Sequence, residues 1–243
     1  MNLVVDIGNT FAKFAVFQND DLVFKTSFEL ESFIKELNHV LEKYNSISHC
    51  IISSVGKLHD EGSQYLNNKL PVLELNSNTP LPFNNAYQTP KTLGVDRLAL
   101  VSAAVKNYPK SNVLVIDAGT CITYDMVTAN NQYLGGGISP GIDMRYKSLN
   151  NLTANLPLLK PTAPENLVGN TTNEAIHSGV MNGVIHEIDG LISDYKQEFE
   201  DLTVILTGGN ANFLSKQLKS SIFANSNFLL EGLNYILQFN SKE

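Results

Sequence analysis

The chain has 243 residues, 43% hydrophobic and 17% charged, with a formal net charge of −7. This is the composition of an ordinary globular protein with ample core material, and its acidic balance argues against a nucleic-acid or anionic-membrane partner, which would need a basic face. Two cysteines, Cys50 and Cys121, form neither a disulfide framework nor a metal-ligand spacing and suit a reducing compartment.

MNLVVDIGNTFAKF at the start has no basic leader, and Asp6 interrupts its apolar run. It reads as a first strand over residues 3–7 rather than a signal peptide. No apolar run approaches the roughly 18–20 residues that span a membrane, so a cytoplasmic protein is expected. Residues 11–17 and 22–28 are strand-like and flank the polar turn Gln18-Asn19-Asp20-Asp21. Phe33, Ile34, Leu37, Val40, Leu41 and Tyr44 recur at spacings of three and four, predicting a helix within residues 29–44. Residues 49–55 read as the next strand, 56–70 are weakly patterned, and 94–108 are mostly helix.

The pattern then begins again. Strands are predicted at 113–118, 121–127 and 133–139, a long helix at 172–198, and a strand running into glycines at 202–209. Helices at about 211–219 and 231–239 complete the chain. Each half therefore starts with a strand, Asp-x-Gly, a hairpin and a third strand, and later adds helices and one more strand. The period of roughly 110 residues suits two similar lobes rather than a solenoid. The class is α/β, with the boundary at Tyr108-Pro109-Lys110, dividing residues 1–110 from 111–243.

VVDIGNT (4–10) and VIDAGT (115–120) carry the repeated carboxylates Asp6 and Asp117. An Asp before Gly at a strand end can be a plain turn former. Its repetition favours a ligand role, because open α/β folds bind ligands at strand ends, and facing lobes would aim both carboxylates into one cleft. Beside a phosphate such carboxylates need a cation, and Mg²⁺ takes carboxylate and phosphate oxygens together. Gly8, Asn9, Thr10, Gly119 and Thr120 offer close backbone approach and donor groups. Lys13 reads equally as a phosphate-neutralising cation on the adjacent strand or as an exposed hairpin lysine.

Gly135-Gly136-Gly137 with Ser139-Pro140-Gly141, and Thr207-Gly208-Gly209, are further glycine turns ahead of helices, where free N–H groups face anions. No P-loop and no protein-kinase motif set occurs. His39, His49, His59, His177 and His186 form no zinc motif. Gly94-Val95-Asp96-Arg97 opens a helix. Either Asp96 merely complements the helix dipole while Arg97 faces solvent, or Asp96 accepts a proton from a substrate hydroxyl and Arg97 grips a carboxylate.

Asp6 to Lys13, Gly94 to Arg97, Asp117 to Thr120, Gly136 to Gly141, the run Asn170 to Gly179 and Thr207-Gly208-Gly209 together resemble the type III pantothenate kinases, in that family's order. The resemblance implies two actin-like (ribonuclease H-like) lobes, each a mixed sheet flanked by helices, with ATP bound between them and pantothenate phosphorylated as the first step toward coenzyme A. It implies a first phosphate loop of Asp6, Ile7, Gly8, Asn9, Thr10, Phe11, Ala12 and Lys13, with Thr120 as a second phosphate contact. Asp117 would help hold a monovalent cation (K⁺ or NH₄⁺) used beside Mg²⁺, and Asp96 would be the general base. Tyr87, Gly94, Val95 and Arg97 would line the pantothenate pocket. Thr172, three residues before Ala175, would reach it from the partner subunit of a homodimer. Other readings are an actin-fold kinase or phosphatase for another small acid, a non-catalytic transcriptional accessory protein and, last, a filament-forming relative.

Overall fold

The computed structural model describes residues 1–8, 11–54 and 60–241. The chain divides into two compact units, one of Met1–Pro109, Asn131–Tyr133 and Asn227–Glu243, the other of Lys110–Asn130 and Leu134–Ser226.

The first unit is built on β1 (Asn2–Ile7), β2 (Phe11–Gln18), β3 (Asp21–Glu29), α1 (Phe33–Lys43), β4 (His49–Ser54), α2 (Asp60–Lys69) and β5 (Val72–Glu74). The strands lie in the order β3-β2-β1-β4-β5, with β1 antiparallel to β2 and parallel to β4. Successive side chains of a strand point to opposite faces, and both faces here are covered. Leu3, Val5 and Ile7 pack with Phe33, Leu37 and Val40 of α1. Val4, Ala15 and Ile51 point the other way, into a second cluster. Helix α2 falls in the weakly patterned stretch, and Leu66 is its one fully buried apolar anchor.

Three more elements follow in chain order: β6 (Asn84–Asn85), α3 (Val95–Asn107) and β7 (Val113–Ala118). Helix α3 is buried at every position from Arg97 to Val105, as expected of a helix apolar all round. The second unit begins with β7 and continues with β8 (Cys121–Val127), β9 (Gln132–Pro140), α4 (Ile142–Asn151), α5 (Thr172–Glu198), β10 (Thr203–Thr207), α6 (Ala211–Leu214) and β11 (Phe223–Ala224). Its strands run β11-β10-β7-β8-β9, with β7 antiparallel to β8 and parallel to β10. Read in reverse, this is the strand order of the first sheet, so the duplication seen in the sequence is a duplication of topology. The first residues of β9, Gln132 and Tyr133, pair with β6 in the first unit.

Helix α5 buries Ile176, Val180, Val184, Ile188 and Ile192, a strict four-residue stripe, against Leu114, Ile116 and Leu206. The last helix, α7 (Phe228–Asn240), belongs to the first unit. Its Leu230, Leu233, Ile236 and Leu237 pack on Val4, Ile51 and Ala99, and Asn234 bridges Asn2 (2.8 Å) and the carbonyl of Asn19 (2.8 Å). Helix α6 is shorter than predicted and α7 begins earlier, where Phe228 and Leu230 are already buried. Among the described residues no helix is long and apolar enough to cross a membrane.

Candidate functional site

Asp6 is the penultimate residue of β1, on the face that Val4 shares with α3 and α7. The ladders pair it with Lys13 on β2 and Ser53 on β4. Lys13 Nζ lies 3.3 Å from Asp6 Oδ2, so the cross-strand position foreseen for Lys13 is occupied and its charge meets a carboxylate. Burial raises the Asp6 carboxyl above the usual aspartate range, Lys13 opposes that shift, and the charge of Asp96 adds to it. Ser53 is fully buried and its Oγ has no hydrogen-bond partner among the described residues. The Gly8 N–H donates to the Phe11 carbonyl (2.9 Å); Asn9 and Thr10 lie outside the described residues. Ile7 and Ala12 send their side chains into the core, whereas Phe11 is half exposed. Ile7 and Ala12 therefore offer a ligand only backbone.

The second cluster of the first unit lies at the start of α3. Gly94 is the N-cap and Asp96 sits in the first turn, where its Oδ1 accepts the Arg97 N–H at 2.9 Å. A Cβ on Gly94 would stand 2.3 Å from that oxygen, so the carboxylate lies directly over Gly94 and a larger residue there would displace it. Asp96 thus serves the helix terminus through one oxygen, and its charge acts on Asp6. Arg97 does not face solvent: it is 5% exposed. The exposed alternative fails because this helix is buried from Arg97 onward. The guanidinium carbon lies 5.6 Å from the ring centroid of Tyr87 and 5.9 Å from that of Tyr133. Val95 packs at the edge of the α3–α7 cluster.

In the second unit Asp117 occupies the place on β7 that Asp6 has on β1, paired with Thr123 and Thr207. Gly208, at φ 93°, would bring a Cβ within 2.3 Å of Asp117 Oδ1. The repeated Asp-x-Gly and the Thr207-Gly208 turn therefore meet at one carboxylate. Thr120 is exposed, and its carbonyl accepts the Gly141 N–H at 3.1 Å. Arg145 secures that approach: its Nε donates to the Pro140 carbonyl (2.8 Å), and its Nη2 donates to Ser139 Oγ (2.8 Å) and Glu187 Oε2 (2.5 Å). Tyr124 OH donates to Glu187 Oε1 (3.0 Å). Burial pushes the Glu187 carboxyl up, but the bonds from Arg145, Ser139 and Tyr124 prevail and hold it below the usual range.

A cavity of about 280 Å³ is lined by Gly119, Thr120, Asp143, Met144 and Lys147. Lys147 was not singled out from sequence; its available signal was a cation on the helix opened by the Gly141 turn. Thr171 Oγ1 accepts the Glu174 N–H (3.2 Å) and Glu174 Oε2 accepts the Asn170 N–H (3.0 Å), while Thr172 stands exposed as the first helical residue beside a groove lined by Leu149, Leu156 and Ile176. Among the described residues no three His, Cys, Asp or Glu side chains converge as a metal cage. The carboxylates suit cations whose other ligands are phosphate oxygens and water.

Residues 2–194 match the family model described as type III pantothenate kinase. A curated type III pantothenate kinase from Christiangramia forsetii is 52% identical over 243 residues, covering all of both chains. Among solved structures, a protein assigned to the Baf family of transcriptional activators from Campylobacter jejuni matches with a TM-score of 0.66 at 23% identity, covering 99% of this chain and 100% of that one. A protein assigned as an N-acetylmannosamine kinase from Listeria monocytogenes matches at 0.57 and 12%, covering 99% of each. At those identities the two structures speak for the fold, which is the actin-like fold of sugar kinases.

Proposed function

The chain belongs to the type III pantothenate kinase family, and on that premise we propose how its own residues divide the work. The reaction is the ATP-dependent phosphorylation of pantothenate to 4′-phosphopantothenate, the first step of coenzyme A biosynthesis. Phosphoryl transfer asks little covalent work of a protein; positioning and charge stabilisation dominate.

Asp96 is the general base, accepting the proton of the pantothenate hydroxyl as its oxygen attacks the γ-phosphorus. The observation that carries this reading is the Asp96 carboxylate, held over Gly94 at the helix start and close enough in charge to raise Asp6. The loop from Asp6 to Lys13 and Thr120 bind the phosphates, with Lys13 supplying positive charge. Arg97 receives the pantothenate carboxylate in its planar fork, and Tyr87, Gly94 and Val95 line that pocket. Thr172 completes the pocket from the partner subunit of a homodimer; the capping duty of Thr171 supports this choice.

The residues fit the two cations. Asp6, largely desolvated and raised, gains most from a divalent neighbour, and Asp117, pressed against Gly208, offers a single carboxylate suited to a monovalent ion. Bound there, Mg²⁺ and K⁺ or NH₄⁺ would neutralise phosphate charge. The cytoplasm, where ATP is abundant, is the proposed setting.

The test is ATP turnover with and without pantothenate, in K⁺ or NH₄⁺ and then in Na⁺. Pantothenate-dependent turnover is expected, weakened by Na⁺; turnover that ignores pantothenate under every condition removes the substrate assignment. A non-catalytic accessory role is not favoured, since Asp6, Asp96, Arg97 and Asp117 are all present.

A further inference from the structure

Tyr133 lies far in sequence from the substrate residues assigned above, yet it touches two of them. It is fully buried, and its ring stacks on Tyr87 at 6.0 Å between centroids with the planes 20° apart. The Arg97 guanidinium lies near both rings, and Phe83 packs edge-on to Tyr133 at 6.1 Å. The backbone of Tyr133 also holds the Tyr87 segment: Asn85 pairs with it, its carbonyl accepts the Ala86 N–H at 3.0 Å, and Asn85 Oδ1 accepts the Tyr87 N–H at 3.0 Å.

An arginine grips a carboxylate with two parallel bonds only when the plane of its fork is fixed. A long side chain left to itself loses rotamer freedom on binding; one held against aromatic faces in a desolvated place has already lost it. We propose that Tyr133 is a positioning residue that fixes Tyr87 and Arg97 as one preformed receptor for the substrate carboxylate, and so sets the preference for pantothenate over neutral analogues. This rests on the reading of Arg97 as the carboxylate ligand. Being wholly buried, Tyr133 acts through its neighbours rather than on the substrate.

The test compares pantothenate with pantothenol, which keeps the reacting hydroxyl and carries an alcohol in place of the carboxylate. Tyr133→Met fills similar space without a ring face. It is expected to raise KM for pantothenate about tenfold, the scale of a desolvated cation–π contact, with kcat within about twofold and pantothenol kinetics unchanged. Tyr133→Phe keeps the ring and should restore wild-type KM. Should the Met variant not fold, 3,4,5-trifluorophenylalanine at 133 keeps the shape, weakens the ring face and should raise pantothenate KM alone. Arg97→Leu is the reference. If it raises pantothenate KM while the Tyr133 variants do not, or they move both substrates equally, the positioning role is overturned. If Arg97→Leu itself fails to discriminate the two substrates, the carboxylate reading of Arg97 falls instead.

Discussion

Asp6 and Lys13 are directly opposed across the β1–β2 ladder, with Lys13 Nζ 3.3 Å from Asp6 Oδ2. Burial raises Asp6, Lys13 lowers it, and Asp96 raises it again, with burial prevailing. A carboxyl raised in the folded state binds more protons there than in the unfolded chain. Its contribution to stability is therefore best at low pH and is lost as pH rises through the folded value. Lys13→Met is expected to raise Asp6 further. The acid limb of the kcat/KM profile should move to higher pH, and stability in urea should fall more steeply between acid and neutral pH. An unchanged acid limb would separate Asp6 from the reaction.

Asp96→Asn preserves the oxygen that accepts the Arg97 N–H and removes the basic group. Loss of general base catalysis predicts a kcat lower by about 10² to 10⁴. ATP binding, measured by calorimetry, should stay within a few fold, and the acid limb assigned to Asp6 should shift to lower pH as a like charge is removed. Near-normal kcat would take Asp96 out of the base role.

Thr171 and Thr172 are adjacent and predicted to fail in different ways. Thr171→Ala removes an N-cap bond and should cost about 1 kcal/mol of stability with little change in pantothenate KM. Thr172→Ala should leave the melting temperature unchanged and raise that KM severalfold. Thermal unfolding and steady-state kinetics on both variants decide, and the opposite assignment would exchange their roles.

Gly208→Ala forces a Cβ against Asp117 at a positive φ. Strain at such a backbone position costs on the order of 1–3 kcal/mol, so a lower melting temperature is expected. If Asp117 holds the monovalent ion, the K⁺ concentration for half-maximal rate should also rise. A destabilised variant with unchanged K⁺ dependence would leave Asp117 a purely structural turn residue.

Much of this was legible in the sequence because buried strands and long helices leave local patterns. β1 and β7 are short apolar runs with Asp as the penultimate residue, and the four-residue stripe from Ile176 to Ile192 marks α5 as a helix. Helix α2 was not legible, because it is anchored at Leu66 and turns polar residues outward almost everywhere else. The burial of Arg97 had a signal: the residues after it are apolar on every side of the helix, leaving no exposed face for position 97. The approach of Tyr133 to Tyr87 had none. Pairing between residues 84–85 and 132–133 joins segments far apart in the chain, and such contacts write no periodicity into either.

The return of α7 to the first unit has a consequence for biosynthesis. Val4 and Ile51 are covered by Leu233 and Ile236, residues the ribosome delivers long after β1. At about 5–20 residues per second, β1 waits on the order of tens of seconds for its cover. A nascent chain halted before Phe228 carries Asp6, Lys13, Asp96 and Arg97 and still lacks one wall of their unit. Folding of the first-made half is thus a late event, and synthesis of α7, rather than emergence of β1, sets its clock.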